Sequence, residues 1–303
     1  LFGAAVAMVG QTYHVTDDTG GFLLTWLLLS LPIVYLLQST LTAMFYLVTV
    51  LAWAGVGHVP LFGNQPAWAL LAGVVPYAVS AMRDEGRRNQ AAFLAVGVAI
   101  AVYILVAKTW GEHLRELLPL VYMPIFTLTY LIGMLDKGQE RLWSRSLVRL
   151  GVLGAVGVAL IYSFRGAWGI WHYKNMVSSN GAMIATLILI AALVLTGWIL
   201  YKRLSREWLL MMFTPVLFIA WLGGVITMNE LISAVAMNVF VFIFGLYVIA
   251  RGISGRSLMM LNLGMLLIGT LIMARFLDSH FSLFLRGLVF IGLGVTFLAV
   301  NRV

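Results

Sequence analysis

GFLLTWLLLSLPIVYLLQSTLTAMFYLVTVLAWAGVG, residues 21–57, consists of two charge-free apolar runs that meet at Gln38, Ser39 and Thr40. Each run approaches the roughly 20 residues an α-helix needs to cross a hydrocarbon core. The short break decides the fold. Read as a turn, it makes a hairpin of two crossings. Read through, it makes one long helix and inverts the sidedness of every later segment. We read it as a turn, because a chain in lipid must satisfy its backbone polar groups within helices or a closed barrel, and two runs of this length each suffice to cross.

The same window applied outward predicts helices over 1–13, 21–37, 40–57, 66–82, 91–107, 117–135, 146–164, 180–201, 207–224, 230–250, 256–274 and 283–301. The expected fold is therefore all-α: a polytopic transmembrane helical bundle of about 12 spans with short loops and no soluble domain, residues 1–303 forming a single integral membrane domain. Composition agrees. Of 303 residues, 62% are hydrophobic and only 10% charged, with a mean hydropathy of +1.00; a soluble domain is about a quarter charged. A transmembrane barrel is excluded, because its strands alternate over about ten residues. The 30 glycines suit close helix packing in lipid. Leu1 lies inside an apolar run without a preceding Met or charged leader, which reads as an N-terminally truncated piece with no signal peptide to claim.

Charge orients the chain. Arg83, Arg87, Arg88, Lys137, Arg141, Arg145, Arg149, Lys202, Arg203, Arg206, Arg251, Arg256 and Arg302 fall in even-numbered loops or at the C-terminus. Lys108, Arg115, Arg165, Lys174, Arg275 and Arg286 fall on the other side. Basic residues collect in cytoplasmic loops, so the C-terminus is expected inside and the location is a bacterial cytoplasmic (inner) membrane. The net charge of +8 follows from those loops. With no basic patch interleaved with exposed aromatics on a soluble module, nucleic acid is not expected as a partner; the lipid bilayer is.

The absence of cysteine rules out disulfides, thiolate catalysis and cysteine-held metals. His14, His58, His113, His172 and His280 all sort to the outer side, a placement that either reflects the tolerance of neutral imidazole for the head-group zone or marks a site. No pair has the i, i+4 spacing of a helix-borne zinc site, so neither a metal nor a cofactor is expected. Formal charges lie at span ends or in loops. Asn238 and Asn262 inside the spans read as hydrogen-bonded joints between helices, and Pro32, Pro76, Pro124 and Pro215 as tolerated kinks.

Three segments gather chemistry on the outer face. GQTYHVTDDTGG, residues 10–21, concentrates Gln11, Tyr13, His14, Asp17 and Asp18. RFLDSHFSLFLR, residues 275–286, places Arg275 and Asp278 at i, i+3 and, if helical, sets Asp278 and Arg286 on one stripe. An arginine a turn inside a span either snorkels outward or seeks a carboxylate. The second course joins Arg286 to Asp17 or Asp18 and makes these eight residues one candidate outer-face cluster. RGAWGIWHYKNMVSS, residues 165–179, brings Trp168, Trp171, His172, Tyr173 and Lys174 together, either as a head-group anchor or as the aromatic entrance for a lipidic or small-molecule ligand.

The Gly10, Gln11, Tyr13, His14 element and the Arg275, Asp278, Arg286 pattern resemble the bacterial predicted membrane proteins grouped as domain of unknown function 2157. That resemblance covers both ends of the chain. It implies a multi-pass membrane fold preceded by a short cytoplasmic segment and about two further spans, and it assigns no activity. Two function classes stay open. One is a transport, permease-like or accessory membrane protein. The other is an outer-leaflet, glycosyltransferase-like enzyme acting on a lipid-linked phosphate or sugar, with an acidic residue as base and an arginine as phosphate clamp. The balance is against an enzyme.

Overall fold

In a computed structural model of the chain, the described residues are 19–56, 66–110, 118–136, 141–168, 212–227 and 229–278, with single positions at 8, 187, 190, 191, 194, 195, 198, 202, 291, 292, 294 and 295. They are all-helical, without a strand among them. In chain order the helices are α1 (Thr19–Leu37), α2 (Thr40–Val56), α3 (Pro66–Arg83), a 3-10 turn (Glu85–Arg87), α4 (Arg88–Trp110), α5 (Leu118–Gly133), α6 (Leu142–Ile161), α7 (Arg165–Trp168), α8 (Phe213–Thr227), α9 (Glu230–Ser254) and α10 (Leu258–Asp278).

The deciding break is a turn. α1 stops at Leu37 and α2 starts at Thr40. Gln38 takes the left-handed conformation (φ 47°) that lets a helix end, and its N–H still donates to the Val34 carbonyl. Ser39 then caps α2: its carbonyl accepts from the Ala43 N–H, and its Oγ lies 3.5 Å from the Thr42 N. The turn between α9 and α10 repeats this design. Arg256 is left-handed (φ 50°), and Ser257 caps α10 with its Oγ 3.4 Å from the Met260 N.

The expectation of twelve spans is not supported. Among the described residues five helices are long and apolar enough to cross a membrane: Thr19–Leu37, Arg88–Thr109, Leu142–Ile161, Glu230–Ser254 and Leu258–Arg275. Thr40–Val56, Leu120–Gly133 and Phe213–Gly224 are apolar but shorter. Hydropathy windows overrun helix ends: the runs expected to reach residues 135 and 164 stop being helix at Gly133 and Ile161. Expected spans 1–13, 180–201 and 283–301 lie outside the described residues apart from single positions. Windows also stop short at charges, which helices do not: the expected run starts at residue 146, whereas α6 begins at Leu142 and carries Arg145 near its start. Pro215 sits in the first turn of α8, where its missing N–H costs no hydrogen bond, while α1, α3 and α5 run on through Pro32, Pro76 and Pro124.

The contacts divide into two compact units. The first contains α1 to α4 and portions of α5 and α6. Its core is continuous from Leu27 and Val34 through Tyr46, Val50 and Trp53 to Leu70, Val74, Leu94 and Leu105. Aromatic side chains tie its helices at their polar tips, as buried tyrosines and tryptophans require. Trp53 Nε1 donates to the Gly20 carbonyl (3.1 Å), Tyr46 Oη to Leu70 (2.9 Å), and Trp68 Nε1 to Thr109 Oγ1 (3.2 Å). The outward side of these helices is apolar, with Leu28, Leu36, Leu41, Phe45 and Phe93 exposed. In a soluble protein such a surface drives association, whereas in lipid it is the solvated face.

The second unit contains α7 to α10 and the remaining portions of α5 and α6. α9 and α10 pack as an antiparallel pair at glycine-set distance. A Cβ on Gly252 would stand 2.5 Å from the Leu261 N, and one on Gly264 2.8 Å from the Ile249 N. Across α8 and α9, Phe213 meets Phe240 and Phe244 edge-on with centroids 4.9 and 4.8 Å apart.

Candidate functional site

In the second unit a polar turn between α6 and α7 gathers donors from α9 and α10. Ser163 is fully buried. Its carbonyl accepts from Asn238 Nδ2 at 2.8 Å and from Arg275 Nη2, which also lies 3.3 Å from Ser163 Oγ. The Arg275 guanidinium stacks over Phe164, 5.0 Å from the ring centre. Next in the chain, Tyr162 offers its carbonyl to Trp168 Nε1 (2.7 Å), and the two rings meet edge-on at 5.2 Å. Three side chains from three helices thus converge on two consecutive carbonyls, which lack helical partners because α6 ends at Ile161.

Asn238 is the interhelical joint that its sequence position suggested. Arg275 belongs to the last turn of α10 and not to a loop, and the helix continues to Asp278, which preserves their i, i+3 register. The Asp278 side chain, Gln11, Tyr13, His14, Asp17, Asp18 and Arg286 lie outside the described residues, so of the expected outer-face cluster only the Arg275 side chain is placed. Trp168 is buried on the Tyr162 carbonyl; Trp171, His172, Tyr173 and Lys174 also lie outside. No group of three metal-ligating side chains occurs among the described residues.

A second constellation went unread in the sequence. In the first unit Tyr35, Gln38, Tyr77, Ser80, Asp84 and Arg87 line an open cavity of about 220 Å³ at the C-terminal ends of α1 and α3. Asp84 Oδ1 caps the 3-10 turn through the Gly86 N–H (2.9 Å), and Oδ2 pairs with Arg87 Nε at 3.1 Å. Arg87 Nη2 crosses to Gln38 Oε1 at 2.5 Å, so the residue that ends α1 also positions the guanidinium. Tyr35 Oη donates to the Gly73 carbonyl (2.6 Å), one residue from the Ala72 carbonyl that Pro76 leaves without its helical donor. Tyr77 is 3% exposed, and its hydroxyl has no partner among the described residues. The legible signal was the polar break at Gln38 between two apolar runs; the lining residues beyond α1 are 39 to 49 positions further along.

The apolar helices and the family-model match over residues 1–43 agree on a membrane protein. No curated protein and no solved structure matches the chain. Residues 1–43, which contain the glycine-glutamine-x-tyrosine-histidine element and α1, match the family model described as Predicted membrane protein (DUF2157), the family that the sequence resembles.

Proposed function

We propose that the chain is a permease-like protein of a bacterial cytoplasmic membrane, one multi-pass membrane domain over residues 1–303 with a cytoplasmic C-terminus. The outer-face residues Gln11, Tyr13, His14, Asp17, Asp18, Arg275, Asp278 and Arg286 form its periplasmic mouth, where a lipidic or small-molecule ligand is received. The observation that carries this reading is the kind of polarity buried between the helices of the second unit. Thr127 and Thr214 hydroxyls meet at 2.7 Å, Ser233 donates to the Ala220 carbonyl, and Asn238 keeps an Oδ1 without a partner among the described residues. These are neutral groups. The acids Asp84, Asp136, Glu230 and Asp278 stand in loops or terminal turns. Neutral polar groups between apolar helices suit passage of an uncharged or amphipathic solute better than proton-coupled chemistry, which uses buried carboxylates.

Single cysteines at Thr127, Thr214, Ser233 and Asn238 test the reading, since the chain has no cysteine of its own. A permease must open a hydrated path, so small charged thiosulfonates should label at least one of these positions in intact cells, faster than a lipid-facing control at Leu28. If all four resist from both sides of the membrane while the protein stays folded, the transport reading fails and an accessory role remains.

A further inference from the structure

We propose that the cavity at the ends of α1 and α3 binds a zwitterion carrying an ammonium group beside an oxyanion, the head-group chemistry of an aminophospholipid. The inference stands on α1 being a membrane span and not on the transport reading.

The cavity holds one cation and one anion. Asp84 would repel a simple anion, and Arg87 a simple cation. Together they fit a ligand that bears both signs. Their own pairing is a weak obstacle: the Asp84 side chain is 49% exposed and that of Arg87 30%, and ion pairs this open contribute little. A zwitterion restores both charges when it enters between them, its ammonium on the Asp84 carboxylate and its oxyanion on the guanidinium. Gln38 orients the guanidinium at Nη2, Asp84 holds Nε, and no described residue takes Nη1. The rings of Tyr35 and Tyr77, edge-on with centroids 6.0 Å apart, add faces that attract an ammonium.

Tyr77 supplies the independent sign of a missing ligand. A buried hydroxyl left without a partner costs about 1–3 kcal/mol, and this one belongs to a residue that lines the cavity. A small movement of the rim would let it donate to the oxyanion. The setting favours a lipid as the source. Leu36, Leu37 and Leu41, which flank Gln38 in the chain, are 81%, 65% and 68% exposed, so acyl chains find apolar surface next to the polar residues. The end of a spanning helix is also where head groups lie.

The full chain in detergent is offered equal amounts of phosphatidylethanolamine, phosphatidylcholine and phosphatidylglycerol with identical acyl chains, and retained lipid is counted by native mass spectrometry. A parallel arm adds water-soluble O-phosphoethanolamine and follows the thermal midpoint. The expected result is preferential retention of phosphatidylethanolamine. It should fall about tenfold in Tyr77→Phe, the equivalent of one lost hydrogen bond to a charged group, without any lowering of the lipid-free midpoint, since the variant sheds an unpartnered buried hydroxyl. Asp84→Asn, which keeps the capping oxygen, should shift preference toward phosphatidylglycerol. Stabilisation by O-phosphoethanolamine, lost in Tyr77→Phe, with no preference among the lipids supports the same chemistry with a soluble source. Equal retention of the three lipids with no effect of O-phosphoethanolamine overturns the proposal, as does a Tyr77→Phe variant that binds like the parent.

Discussion

Gly252→Ala should separate α9 from α10, and the size of the effect follows from what the new methyl group meets. Its Cβ would lie 2.5 Å from the Leu261 N and 2.8 Å from the Leu261 Cα. Both are backbone atoms, so no side chain can rotate away, and the helices must move apart by about an ångström to reach ordinary contact. Overpacking of this kind costs about 1–3 kcal/mol. Replacing a helical glycine by alanine also gains up to about 1 kcal/mol in propensity, which would hide part of the loss. Gly269→Ala in α10 provides the control, because a Cβ there meets nothing within 4 Å. The propensity gain cancels between the two variants, leaving Gly252→Ala less stable than Gly269→Ala by about 1–3 kcal/mol. Reversible unfolding in mixed detergent micelles, followed by helical circular dichroism, measures the difference. Equal stabilities would refute the close packing of this pair and the register built on it.

Two further outcomes concern hydrogen bonds at helix joints. Tyr46→Phe removes the donor to the Leu70 carbonyl and should lower stability in the same assay by about 0.6–1.5 kcal/mol; no loss would mean that this carbonyl finds another donor. Asn238→Ala and Arg275→Met each leave the buried Ser163 carbonyl with one donor, whereas the double variant removes both. The double loss should therefore exceed the sum of the single losses by about 0.5–2 kcal/mol, and strict additivity would show that the two donors do not share that carbonyl.

Helix existence was legible because lipid imposes one rule on the backbone, and a run of about twenty uncharged residues has few other uses. The hairpin at Gln38 and Ser39 was legible for a local reason: serine caps helices, and a polar pair between apolar runs has no place in a through-going span. Helix ends were not. Long arginine side chains reach outward from inside a helix, so Arg145 and Arg275 lie within helices although hydropathy set them outside. Asn238 could be recognised as a joint by its residue type, but its acceptor is 75 residues away in a turn that no motif marks. The Asp84 and Arg87 cavity was hidden for the same reason, since two of its six lining residues, Tyr35 and Gln38, come from the end of α1. Of the expected outer-face cluster, one side chain is placed: Arg275, expected in a loop beside Asp278, lies in the last turn of α10 and binds the Ser163 turn.

Thiol labelling in intact cells tests most directly the claim that this is a multi-pass membrane protein with its basic loops inside. Single cysteines replace Glu85, Glu140 and Leu204 in the loops assigned to the cytoplasm, and Leu61 and Ile170 in loops assigned to the outside. An impermeant maleimide should modify the cysteines at 61 and 170 in intact cells and reach those at 85, 140 and 204 only after the membrane is opened. The reverse pattern would contradict this topology, and cysteines at 61 and 85 that label from the same side would contradict α3 as a crossing.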